Sequence, residues 1–165
     1  MLGWQSMASR WRVPRHSETR VLPWTPAEMF DLVADVRSYP QFLPWVAAVR
    51  IRESSPTLLV ADMSVGFRSL RETFTSRVGL DRPGHIDVEY VSGPLKHLHN
   101  DWHFKPHESG GTRLEFDVDF EFKSKIFERV AGAFFHEAFK RMVASFEGRA
   151  QKLYGSRSLS ATSAA

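Results

Sequence analysis

At 165 residues and without cysteine, the chain is the size of one ordinary domain that buries a core unaided, and disulfides and thiolate chemistry are excluded. A formal net charge of +3, with Lys and Arg alternating with acids along most of the sequence, leaves no nucleic-acid footprint and argues against a DNA partner. The aromatic fraction of 13% is dominated by 13 Phe, which suits a core or pocket of large apolar side chains, and no apolar run is long enough to cross a bilayer.

The first 15 residues carry Arg10, Arg12, Arg15, Trp4 and Trp11 and no acid. They read as a disordered basic extension, or as a short targeting or membrane-surface segment. The domain proper is expected over 16–155. It opens with a strand at His16–Leu22 and a helix with four start signals: Thr25 as N-cap, Pro26 at the first helical position, Glu28 completing a capping box, and Trp24 with Met29 as a hydrophobic staple. Tyr39 precedes Pro40, where the α conformation is disfavoured, so the helix ends by about Ser38. The Tyr39–Trp45 segment packs two prolines and three aromatics into a rigid apolar turn. It reads either as the rim of a pocket mouth or as a plug for the open end of a sheet.

Turn signals then recur at 54–56, 81–84, 92–94 and 109–111. They divide the chain into strands at about Val46–Glu53, Thr57–Arg68, Leu70–Leu80, His85–Val91, Leu98–Lys105 and Thr112–Lys123, an antiparallel meander. Gly66 and Gly79 are expected bulge positions that let the sheet curl. The last strand is the clearest. Leu114, Phe116, Val118, Phe120 and Phe122 alternate with Glu115, Asp117, Asp119 and Glu121, so one face is buried and the other wet. After Ser124 the period changes to helical and holds to about Tyr154, with an apolar stripe through Phe127, Val130, Phe134, Phe135, Phe139, Met142, Val143 and Phe146. Gly132 marks an expected kink or break, Gly155 fits the C-terminal stop, and the Ser/Ala-rich stretch 156–165 has the composition of a disordered tail. The fold class is therefore α+β, a curved antiparallel sheet wrapped around a long C-terminal helix with an apolar cavity between them.

Glu72 and Ser76 fall among Leu70, Phe74, Val78 and Leu80 on one strand face. A carboxylate facing a cavity would be desolvated and available to a polar head group; the bland alternatives are a bulge that turns Glu72 outward or a pair with Arg68 or Arg71. Trp102 and Phe104 share a strand face whose default meaning is core. His97, His99, His103 and His107 bring metal to mind, and His97 and His99 could share a strand face, but no Cys, helical His pair or carboxylate stands at ligand spacing, so they read as edge or surface residues and no metal is expected. No phosphate loop, nucleophile elbow or catalytic carboxylate pair is present.

The order of elements resembles the helix-grip fold of START-like lipid-transfer domains. Tyr39-Pro40-x-Phe42-Leu43-Pro44-Trp45, Gly93-Pro94-Leu95, Trp102-x-Phe104 and Phe120-Glu121-Phe122-Lys123-Ser124 resemble, in order and spacing, the coenzyme Q-binding protein family, which includes proteins named as ribosome-association toxins. The resemblance implies non-enzymatic binding of ubiquinone or a polyprenylated precursor in the cavity, with transient contact to a membrane surface and support of respiration. No cofactor is expected beyond that ligand. Expected ligand contacts are Tyr39, Phe42, Leu43, Trp45, Val65, Glu72, Phe74, Leu95, Trp102, Phe104, Phe135, Phe139 and Met142. The implied location is cytoplasmic and peripheral at the inner membrane, or on the matrix side of mitochondria in a eukaryote. Two rivals remain: a translation inhibitor that grips the large ribosomal subunit through Lys123, Lys125, Arg129, Lys140, Arg141 and the N-terminal arginines, and a cyclase or hydratase with Glu72 or His85 as acid/base.

Overall fold

A computed structural model describes residues 15–67 and 70–159, without the side chains of 67, 70, 126–127 and 130–136. The expected basic extension lies, but for Arg15, outside the described residues. The elements are β1 (Arg15–Leu22), α1 (Pro26–Ala34), a 3₁₀ segment (Val36–Gln41), β2 (Val46–Ser54), β3 (Leu58–Phe67), β4 (Leu70–Asp81), β5 (His85–Ser92), β6 (Leu95–Pro106), β7 (Thr112–Phe122) and α2 (Lys125–Tyr154). All seven strands form one curved antiparallel sheet in the order β1-β7-β6-β5-β4-β3-β2. The α+β class and the meander stand as expected, although β6 begins three residues before Leu98.

The start of α1 carries the expected capping box. Thr25 Oγ1 accepts from the Glu28 N–H at 3.2 Å while the Glu28 carboxylate accepts from the Thr25 N–H at 3.0 Å, which satisfies two of the donors a helix start leaves open. The helix itself stops at Ala34, and the chain tightens into 3₁₀ geometry that accommodates Pro40. At that end the Tyr39 hydroxyl donates to the Val33 carbonyl at 2.5 Å. Burial, with the Asp35 carboxylate nearby, pushes the phenol up, so it stays a donor.

Four residues bulge out of the ladder: Ala47 and Arg52 in β2, Val91 in β5 and Lys96 in β6, each skipped by the register of its neighbour. All four are exposed. Gly66 and Gly79, the expected bulges, sit in regular register opposite Arg71 and Leu58. A bulge needs one residue too many in one strand of a pair, and a missing side chain does not supply it.

β7 shows the alternation its sequence announces, with every inner residue from Thr112 to Phe122 buried. α2 covers this face as one continuous helix of 30 residues, about 45 Å long. It passes through Gly132 without the expected break, a glycine in a helix interior costing only about 1 kcal/mol. Its C-terminal half is fastened firmly. Phe146, 1% exposed, meets the rings of Tyr39, Phe42 and Trp102 at 5.3, 5.3 and 5.4 Å. Beyond the helix, the Gly155 carbonyl accepts from the Trp24 indole at 3.0 Å. The tail begins ordered as well: Arg157 forks onto the Glu28 carboxylate at 2.6 and 3.0 Å, and that guanidinium holds Glu28 below the usual carboxylate range against the opposing effect of burial.

Replacing Phe146 by Ala should therefore cost about 3–5 kcal/mol of unfolding free energy in urea, whereas Lys152→Ala on the exposed side should stay within about 0.5 kcal/mol. A Phe146→Ala loss no larger than that of Lys152→Ala would mean that α2 is not held at this point.

Candidate functional site

The inner face of the sheet is packed at one end and more open at the other. At the packed end Trp102 lies 4.4 Å from Phe116, Phe104 is buried, and Leu43 is only 3% exposed. Phe42 is half-buried between Phe146 and the Arg149 guanidinium, which stands 5.3 Å over its ring. Trp45 is also half-buried. The Tyr39–Trp45 segment thus shares the two readings: Leu43 plugs the sheet, while Phe42 and Trp45 keep part of their area in solvent.

Toward the β3–β4 hairpin the inner face changes character. Met63, Val65, Phe74 and Leu98 are apolar yet only half-buried. Glu72 lies opposite Val65 on this face and is exposed. The desolvation expected of it is absent, because it sits two rungs from the end of the ladder. The turn into β6 is shaped by Gly93 at φ 141°, where an added Cβ would stand 2.8 Å from the Phe74 Cβ. Leu95, just after it, is buried, with its N–H donating to the Tyr90 hydroxyl at 3.0 Å.

Between these two ends stands Ser76, 7% exposed. The register places Ala61 on one side of it and Tyr90 on the other. Ala61 offers nothing polar, and the Tyr90 hydroxyl already serves Leu95. The Ser76 Oγ has no hydrogen-bond partner among the described residues. Its neighbour Thr75 shows the contrast, for on the outer face it donates to Asp62 at 2.6 Å. Leaving a buried hydroxyl unpaired costs about 1–3 kcal/mol, and such groups in native proteins call for an explanation.

Facing the sheet, Phe139 packs at 6.0 Å from Phe116 and 5.9 Å from Phe120, and Met142 is half-buried beside the core. Phe135, expected as a ligand contact, lies in α2, and its side chain is outside those described. A polar edge completes the face, and the sequence reading missed it. His16, Glu18 and Arg20 all point inward from β1: Arg20 bridges Glu18 and Glu147 at 2.9 Å each, and His16 stacks on Phe139 at 5.7 Å. The available signal was their period-two spacing opposite the inner residues of β7.

Nothing at Ser76 supplies a base among the described residues. His85, one of the two acid/base candidates, belongs to the outer face, where it meets Asp101 at 2.6 Å. The arrangement can bury an apolar ligand and offer it one hydroxyl. Ser76→Ala should accordingly raise the stability of the ligand-free protein by about 1 kcal/mol in urea denaturation, since it removes an unpaired buried group; a loss of that size would mean the hydroxyl has a partner.

Known proteins share both sequence and shape with this chain. The family described as "Polyketide cyclase / dehydrase and lipid transport" matches residues 22–147. The ribosome association toxin RatA of Escherichia coli K12 is 39% identical over 145 residues, covering 88% of this chain and 92% of that protein. The mitochondrial coenzyme Q-binding protein COQ10 homolog B of Xenopus laevis is 33% identical over 154 residues, covering 91% of this chain and 63% of that protein. Among solved structures, the 18 kDa protein CC1736 of Caulobacter crescentus superposes with a TM-score of 0.70 at 40% identity, covering 87% of this chain and 99% of that one.

Proposed function

The chain belongs to the polyketide cyclase/dehydrase and lipid-transport family, and from that premise we propose that it binds ubiquinone or a polyprenylated precursor on the inner face, without catalytic turnover. The observation that carries this reading is the buried Ser76 hydroxyl, set in an apolar surface and without a hydrogen-bond partner among the described residues. A quinone ring presents carbonyl acceptors, so Ser76 donates to one of them, while the isoprenoid tail lies over Met63, Val65, Phe74 and Leu98. Burying such a tail is worth about 25 cal/mol per Å² of apolar area before the costs of association. No special chemistry is required. Among the described residues no helix is long and apolar enough to cross a membrane, which accords with transient, peripheral contact while the lipid is loaded and delivered in support of respiration.

A second reading rests on the name of the Escherichia coli relative and on the exposed cations Lys123, Lys125, Arg129, Lys140 and Arg141 along α2 and its approach. In that reading the partner is a ribosomal subunit, and binding weakens steeply with salt.

Organic extraction and mass spectrometry of protein purified from ubiquinone-producing cells tests the first reading. Wild-type protein should carry quinone, and folded Ser76→Ala should carry roughly tenfold less, the equivalent of one hydrogen bond of about 1.4 kcal/mol. Quinone-free wild-type protein that co-sediments with ribosomes, and loses them when Lys140 and Arg141 become Gln, would replace the first reading with the second.

A further inference from the structure

The outer face of the sheet carries chemistry that lipid binding does not use. Cross-strand pairing sets Asp87 of β5 directly opposite Asp101 of β6, and Asp101 directly opposite Asp117 of β7. Like charges facing one another across a ladder are destabilising, so three carboxylates in one row require cations. Asp117 has its own: Arg15 at 3.0 Å and the Ser17 hydroxyl, which together hold it below the usual carboxylate range. Among the described residues the ion pairs of Asp87 and Asp101 are with histidines. His85 Nε2 lies 2.6 Å from Asp101 Oδ1, and His99 Nε2 lies 2.6 Å from Asp87 Oδ1 and 3.5 Å from Asp101 Oδ2. His103 stands opposite His85, their rings stacked at 4.4 Å.

The donor atoms converge. One from each of His85, Asp101 and His103 lie within 4.8 Å of one another, and so do one from each of Asp87, His99 and Asp101. Two imidazoles and a carboxylate, with a fourth position open to water, form a donor set that suits Zn²⁺. Bonds of 2.0–2.1 Å in a tetrahedron separate donors by about 3.3 Å, a distance that small rotamer changes on two adjacent strands provide. The sequence shows no carboxylate at ligand spacing because the pairing of β5 with β6, not spacing along one strand, brings His85 and Asp87 beside Asp101 and His103.

We propose that His85, Asp101 and His103 bind a divalent cation of the zinc class on the outer face, with His99 orienting Asp101 through its second oxygen and Asp87 fixing His99 in turn. On binding, the cation takes the place of the hydrogen bond between His85 and Asp101, and the neutral imidazole carries its proton on the ring nitrogen that does not face the metal. This site is independent of the inner face.

The test is titration of the full chain with ZnCl₂ in a non-coordinating buffer, followed by calorimetry and by the histidine ring resonances in NMR. One ion should bind per chain, shifting the His85 and His103 resonances most. Asp101→Asn and His103→Gln should each weaken binding by at least the ~10–100-fold that even outer-shell changes cause at metal sites, and His107→Gln, outside the cluster, should leave it unchanged. Asp101→Asn relieves charge repulsion and should fold, as circular dichroism would report; His103→Gln provides a second variant. No saturable binding, or binding equally weakened by His107→Gln, would overturn the proposal.

Discussion

A sheet with one apolar face must be covered, and here one helix does the covering. The inner side chains of β7 are buried from end to end, and their burial depends on α2 lying across them. The contact that fixes the helix is Phe146 against Trp102, Tyr39 and Phe42, which ties α2 to the sheet and to the 3₁₀ segment at once. Arg20 to Glu147, Trp24 to Gly155 and Arg157 to Glu28 close the same end with polar contacts. Among the described residues the inner face is buried beside these attachments and only half-buried toward the β3–β4 hairpin.

That asymmetry gives the site its character. A uniformly packed inner face would leave Ser76 as an ordinary defect of the core. Placed instead between a sealed aromatic end and a half-open apolar one, its hydroxyl is a fixed donor in a low-dielectric setting, where a hydrogen bond to a ligand is strong and an unmade one is costly. Gly93 and the Tyr90–Leu95 hydrogen bond hold the neighbouring turn close to Phe74, so the Gly93-Pro94-Leu95 motif shapes the wall of the site without supplying a polar group to it.

Much of this was legible before any coordinates. Period-two alternation in 112–122 and the coincident cap signals at 25–28 are local, and local rules settle them. Ser76 could be assigned to the inner face by counting, but its isolation depends on Ala61 and Tyr90, which only register brings beside it. The bulges escaped for the same reason, since each is a mismatch between two strands and belongs to neither sequence alone. Histidines 97, 99 and 103 share a face by simple spacing, whereas their coupling to Asp87 and His85 requires the β5–β6 pairing. The exposure of Glu72 likewise follows from where the ladder ends.

The two faces of β5 and β6 thus present opposite chemistries a few ångströms apart, with Trp102 inside and Asp101 and His103 outside on consecutive positions. The central claim is that the inner face holds a quinone with its ring at Ser76. Intermolecular nuclear Overhauser effects between a short-chain ubiquinone and methyl-labelled protein test it most directly. The account predicts contacts from the quinone ring methyl to Ala61 and from the tail to Met63, Val65 and Leu98; saturable binding whose contacts fall only on outer-face methyls such as Val60, or no contacts at all under saturating quinone, would contradict it.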